Sequence, residues 1–180
     1  SLLINSYITS KNYTEALDKI KKNKTPENKA AYQKVAFYRG LEVYTDGKYQ
    51  DAYVLFKKSL TENKDQKITA RATFWKGECE YSLDQFSEAV LTYKQFLNNA
   101  SASETPENKT VNYNLAYSYF KIKEYENAIP YFNTYITNSK EDKNRLTDAY
   151  LRLADCNYIS SKYWPAMDAY NKAIELKCVD

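Results

Sequence analysis

Few side chains in this sequence could carry chemistry, and they are poorly placed for it. The cysteines are Cys79, Cys156 and Cys178, there is no histidine, and the only glycines are Gly40, Gly47 and Gly77. Without His, the commonest general base and the commonest nitrogen ligand for a transition metal are both missing. No Cys-x-x-Cys spacing occurs, so no zinc site is expected. Three scattered glycines cannot form a phosphate-cradling loop of the G-x-G-x-x-G or G-x-x-x-x-G-K type. The composition therefore points away from an enzyme and calls for no cofactor and no metal.

Charge and hydropathy narrow the class further. Lys and Arg number 26 against 23 Asp and Glu, a net charge of +3. The one basic cluster, around Lys19, Lys21, Lys22 and Lys24, reads as a solvated helix end rather than a nucleic-acid patch. A mean hydropathy of −0.73 and the lack of an apolar run near 18 residues exclude a membrane span. Aromatic residues make up 16% of the chain, with 19 Tyr, so many rings must be buried or used and disorder is excluded. The chain opens at Ser1 and its only Met is Met167, so it reads as a piece of a longer or processed protein. Leu2-Leu3-Ile4 is too short for a signal segment.

The elements that must position these residues follow from a repeat. Marker alanines stand at Ala16, Ala52, Ala89, Ala128 and Ala166, a period of 36 to 39 residues. Three before each marker is a ring: Tyr13, Tyr49, Phe86, Tyr125 and Tyr163. Four after it is a bulky apolar residue: Ile20, Phe56, Tyr93, Phe132 and Tyr170. Twelve before it stand Gly40, Gly77, Ala116 and Ala154, and eight before it Tyr44, Tyr81, Phe120 and Tyr158.

Each repeat reads as two helices joined by a short polar turn such as Thr45-Asp46-Gly47-Lys48, where Gly47 suits the left-handed position that closes a helix. The small residues twelve before the marker are expected to face the marker Ala and let paired helices approach to about 8–10 Å. Thr-Pro-Glu-Asn-Lys occurs at 25–29 and 105–109, predicting N-caps at Thr25 and Thr105 and first-turn prolines at Pro26 and Pro106. The helix behind the first copy should be one turn longer. Pro165 falls at the start of a second helix, where it is tolerated, and Pro130 a turn further in, where it is expected to distort the helix. Cys79 and Cys156 occupy equivalent places two repeats apart, roughly 20 Å by helix-packing distances, too far for a disulfide. They read as small packing residues, and Cys178 as a free thiol.

With these rows in place the chain resembles the tetratricopeptide repeats, most clearly in Asn-Leu-Ala-Tyr-Ser-Tyr-Phe…Tyr-Glu-Asn-Ala (114–128) and Arg-Leu-Ala-Asp-Cys-Asn-Tyr…Tyr-Trp-Pro-Ala (152–166). It departs from the family pattern at Arg39 and Lys76, where a Leu is usual, and at Phe96 and Tyr135, where a later Ala is usual. Phe74-Trp75-Lys76-Gly77-Glu78 and Phe37-Tyr38-Arg39-Gly40-Leu41 resemble the repeat start of bacterial cell-envelope members, among them the Tol-Pal coordinator and outer-membrane assembly lipoproteins. That tilts the expected location to the periplasm or cell envelope, with the cytoplasm as the alternative.

The resemblance implies an all-α, right-handed superhelix of stacked antiparallel helix pairs. It divides the chain into a partial repeat over 1–31 and repeats over 33–69, 70–108, 109–146 and 147–180. It also implies a non-enzymatic scaffold that binds peptide or protein segments on a concave face lined by first helices. The residues mapped to that face are Phe37, Leu41 and Tyr44; Phe74, Glu78 and Tyr81; Tyr113, Tyr117 and Phe120; Leu151, Asp155 and Tyr158. Each ring among them has a second reading as packing between repeats. The family's carboxylate clamp is not expected, because Phe37, Phe74, Tyr113 and Leu151 stand where its Lys would be. Leu41, Glu78, Tyr117 and Asp155 stand where its Asn would be. Two further readings are a structural spacer that associates end to end and, with acidic residues on the inner rows against it, an RNA-binding repeat.

Overall fold

The computed structural model describes residues 12–22, 25–139 and 141–177. Cys178 and residues 1–11, 23 and 24 of the partial first repeat lie outside the described residues. Among the described residues there are nine α-helices and no strand. They are α1 (Tyr13–Lys21), α2 (Pro26–Thr45), α3 (Tyr49–Leu60), α4 (Gln66–Ser82), α5 (Phe86–Leu97), α6 (Val111–Lys121), α7 (Tyr125–Asn138), α8 (Lys143–Ile159) and α9 (Tyr163–Lys177). Two short 3-10 turns, Ala102–Glu104 and Pro106–Lys109, lie between α5 and α6. The chain divides at Thr105 into two compact units. In the first, α1 to α5 each pack on the next helix and α2 also touches α4; in the second, α6 to α9 pack in succession.

Inside each of the four repeats over 33–180 the turn is the same structure. Lys48, Gln85, Glu124 and Lys162 N–H groups donate back to the carbonyls of Val43, Glu80, Tyr119 and Asn157, at 2.8–3.1 Å. This six-residue closure satisfies carbonyls that a helix end leaves unpaired, and it requires a left-handed residue. Gly47 holds that place at φ 77°, as expected, and Asp84, Lys123 and Ser161 hold it in the other repeats at φ 59–65°. A ring pair then staples each turn: Tyr44–Tyr49, Tyr81–Phe86, Phe120–Tyr125 and Tyr158–Tyr163, with centroids 5.1–5.6 Å apart.

The small residues twelve before the marker serve a different contact from the expected one. A Cβ at Gly40 would stand 2.7 Å from the Phe56 ring, and one at Gly77 2.9 Å from Tyr93. The glycines thus make room for the ring four after the marker rather than for the marker Ala itself, although all five markers are buried.

Connections between repeats are individual. Thr25 caps α2 by accepting from the Asn28 N–H. Thr105 does not cap a helix: it is buried, its hydroxyl donates to the Ala102 carbonyl at 2.7 Å, and Pro106–Lys109 forms a 3-10 turn. The compact turn at 102–104 consumes the hydroxyl that a cap would need, so α6 starts five residues later and has 11 residues against 20 in α2. Pro130 sits inside α7, which runs on to Asn138 without a break. The 61–65 connection is held by Gln33, a fully buried side chain of α2. Its amide nitrogen donates to the Asp65 carbonyl and the Thr69 hydroxyl, and its amide oxygen accepts from the Lys64 and Asp65 N–H groups. Every bonding position of that amide is filled, the condition under which a buried amide stabilises.

Candidate protein-interaction faces

In the first unit the mapped residues divide into core and face. Phe37 is fully buried between Phe56 and Tyr38, with the Arg71 guanidinium 4.9 Å above its ring. Phe74 is 3% exposed, enclosed by Trp75, Tyr93 and Phe96. These two are therefore core residues and present nothing to a partner, because fifteen residues before the marker the side chain turns onto the ring of the paired helix. Leu41 is half-buried on the same cluster. Tyr44, half-buried, lies 5.1 Å from Trp75 of the next repeat and its hydroxyl is 3.1 Å from that of Ser82. Glu78 accepts from the Tyr93 hydroxyl, and Tyr81 is half-buried against Phe86. Behind this face Lys76 bridges the buried Glu80 (2.7 Å) and the Thr92 hydroxyl (2.9 Å).

In the second unit the mapped residues converge on a polar cluster. Tyr113 and Tyr117 of α6 both donate to one oxygen of Asp148 on α8, the first at 2.7 Å. Arg152 lies one turn on, its Nε 3.7 Å from Asp148 and its Nη1 2.6 Å from Asp155. The other oxygen of Asp155 accepts from Tyr170 at 2.7 Å. The Arg152 guanidinium also lies 5.8 Å from the centre of the Phe120 ring. Leu151 is half-buried and borders a shallow hollow of about 250 Å³ with Thr147 and Asp148. Tyr158 stands apart from the cluster, 60% exposed.

Burial and the bond to Asp148 both raise the Tyr113 and Tyr117 phenols well above their usual range, since ionising either would set two anions side by side. The bond to Asp155 takes Tyr170 up to about 12. Two carboxylates share one guanidinium, leaving a half-buried surplus of negative charge that suits a cationic or N–H donor group. Burial pushes the Cys79 and Cys156 thiols up to about 12, so both are inert packing groups rather than nucleophiles. Both are free of disulfides and fully buried.

Sequence rows did not reveal Asp148, Arg152 and Tyr170 as members of the face. Asp148 lies in a row with no constant character; the equivalent residues are Lys34, Arg71 and Thr110. A signal for Tyr170 was present: where the residue eleven before the marker is acidic (Glu78, Asp155), the ring four after it is Tyr, and where it is Leu41 or Tyr117 the ring is Phe.

Residues 84–143, a third of the chain, match the tetratricopeptide repeat family model. No curated protein matches the sequence. Among solved structures, a double mutant of MamA from strain RS-1 superposes with a TM-score of 0.69 at 17% identity, covering 97% of this chain and 90% of its own. MamA 41-end from Desulfovibrio magneticus RS-1 gives 0.65 at 17% identity, covering 93% and 94%. A kinesin light chain with TPR-like repeats, from Podospora anserina, gives 0.65 at 11%, covering 97% and 91%. These likenesses show the fold: an all-helical array of tetratricopeptide-type helix pairs. No described helix is long and apolar enough to cross a membrane.

Proposed function

We propose that the chain is a non-enzymatic scaffold that binds segments of other proteins on the first-helix faces of its repeats. The observation that carries this reading is the α6–α8 cluster. Half-buried phenols and two carboxylates around a single guanidinium form a stiff, partly desolvated surface, where aromatic and charged anchors give most per contact. Its surplus negative charge fits a segment bearing Lys, Arg or a free amino group. Leu41, Tyr44, Glu78 and Tyr81 form the corresponding face of the first unit. An envelope location is supported by the Phe-Trp-Lys-Gly-Glu segment at 74–78, and fractionation of native cells with an antibody to this chain tests it.

The binding test is affinity capture with the wild-type chain beside an Asp148→Asn/Asp155→Asn variant that keeps its melting temperature. A partner held by the wild type and lost by the variant supports the scaffold; equal capture by both moves the reading to a spacer.

A further inference from the structure

A hollow of about 420 Å³ is walled by α1, α2 and α3. Leu17, Val43 and Leu55 give it an apolar cup, with Tyr32 and the 43%-exposed Val54 beside them. Its residues fall in repeat rows. Leu17 is one after a marker, Arg39 and Val43 are thirteen and nine before the next marker, and Leu55 is three after that one. These rows differ from the rows fifteen, eleven and eight before the marker that form the first-helix faces.

The other repeats fill the same rows with their own side chains. In the next repeat the equivalents of Leu17, Arg39, Val43 and Leu55 are Tyr53, Lys76, Glu80 and Thr92. Lys76 carries its ammonium group 5.7 Å from the centre of the Tyr53 ring and bonds Glu80 at 2.7 Å and Thr92 at 2.9 Å. Its contacts are thus the three residues equivalent to the cup. In the second unit Leu115 is fully buried and Tyr119 stacks on Tyr131, while Leu153, Asn157 and Ala169 are all buried. Arg39 instead pairs along its own helix with Glu42, at 2.9 Å, and leaves the cup open. The opening therefore comes from side-chain choice among three helices that are all in place.

The Lys76 arrangement also shows what kind of group fits. Where that side chain meets a carboxylate and a hydroxyl, the cup offers Val43 and Leu55, so the matching guest is an apolar side chain. Charge specifies what flanks it. One turn past Leu55, Lys58 stands exposed on the rim, and Lys21 lines the hollow from α1. A second hollow of about 200 Å³ adjoins at Lys21 and Tyr32 and adds Lys29 and Glu62. Three ammonium groups there meet one carboxylate, and none of the three lysines forms an ion pair among the described residues. The rim aspartates lie elsewhere, Asp51 one turn before Leu55 and Asp18 beside Leu17.

We infer that this hollow docks an acidic, extended segment of a partner protein. An apolar side chain of the segment fills the cup, and Asp or Glu two and four residues along it meet Lys58 and Lys21 and then Lys29. The spacing follows from geometry: Lys58 is about 4.5 Å past Leu55 along α3, and alternate side chains of an extended chain repeat every 6.6 Å or so. The inference does not rest on the first-helix faces, which Asp148 and Asp155 variants test separately.

The test titrates the chain, its Leu and Val methyl groups labelled for NMR, with the peptide Ser-Leu-Ser-Glu-Ser-Glu-Ser and with the reversed sequence. Saturable shifts of the Leu17, Val43 and Leu55 methyl signals are expected with at least one of them. Replacing the peptide's leucine by serine, which cannot affect folding of the chain, should weaken binding at least tenfold. Lys21→Gln/Lys58→Gln, at exposed positions, should weaken it about fivefold and reduce its dependence on salt. Leu17→Tyr/Arg39→Lys/Val43→Glu/Leu55→Thr installs the residues that the next repeat accommodates, and is expected to abolish binding while the thermal melt stays cooperative. Failure of both peptides to saturate by about 1 mM, the weak end of specific association, would overturn the inference. So would binding indifferent to the leucine and lysine substitutions. Saturable shifts with octanoate and none with either peptide would assign the hollow to a small carboxylate ligand instead. Self-association of the chain, reversed by the fourfold variant and without peptide binding, would assign it to a second copy.

Discussion

Fifteen residues before the marker alanine, Phe74 of the first unit is sealed between Tyr93 and Phe96, whereas Tyr113 of the second carries its hydroxyl to Asp148, 2.7 Å away. The register is the same and the materials differ. Where the row holds a phenyl group, the first helix closes onto its own partner helix and the position becomes core. Where it holds a phenol with a carboxylate across from it, the position joins neighbouring repeats through a polar network and stays half open. A repeat row therefore specifies a place, and the residue type decides whether that place is interior or surface.

Removing the polar elements of each unit tests this difference most strongly. Gln33→Ala should destabilise the first unit by about 2 kcal/mol, since it empties a fully buried amide site and takes away the acceptor of the Lys64 and Asp65 N–H groups. Urea unfolding followed by Trp75 fluorescence in a Trp164→Phe background reads that unit. Asp148→Ala should destabilise the second unit by about 2 kcal/mol. In a Tyr113→Phe/Tyr117→Phe background the same change should have about 1 kcal/mol less effect, because its two phenol partners are already gone and only Arg152 remains. Additive losses would mean that the phenols and the carboxylate act independently.

Alkali sharpens the contrast. Tyr113, Tyr117 and Tyr170 have folded pKa values raised above the ordinary value of 10, so their contribution is fully present below pH 10 and falls as pH rises toward and beyond 12. The melting temperature should drop over that window, and Tyr-to-Phe changes at these three positions should flatten the drop. The smallest effect is expected in the turns, which the two units share. Gly47→Ala should destabilise by about 1 kcal/mol, and Lys123→Gly should stabilise by about 0.5–1 kcal/mol, both read as shifts in denaturation midpoint.

Much of this fold was legible as spacing. Marker alanines, the rings at three before and four after, and the polar turn identify helix pairs because a helix pair must bury one stripe per element, and burial at helical period leaves a visible row. The pairing of an acidic residue with a Tyr ring was legible in the same way. Features set by one side chain reaching a distant backbone left no row. Gln33 has Ala70, Lys109 and Thr147 as its equivalents, so nothing in the register announced that it would secure a connection. Thr105 repeats the local sequence of Thr25 letter for letter, yet the 3-10 turn before it took its hydroxyl. Identical pentapeptides produced different helix starts because the preceding six residues differ. Lysine and serine at the left-handed turn position escaped notice for the converse reason: the surrounding helix pair enforces a conformation that these residues do not favour and that aspartate at 84 tolerates.

The four matching turns also bear on mechanics. Among the side-chain bonds described, the longest in sequence joins Tyr44 to Ser82, 38 residues apart, which is one repeat. Where ties reach only to the adjacent repeat, as these described ones do, a chain can give way under tension one helix pair at a time. Each pair, with its own turn closure and ring staple, can re-form without its more distant neighbours. Ties of that reach predict lengthening in steps under load, which stretching of single molecules would read as one drop in force per helix pair.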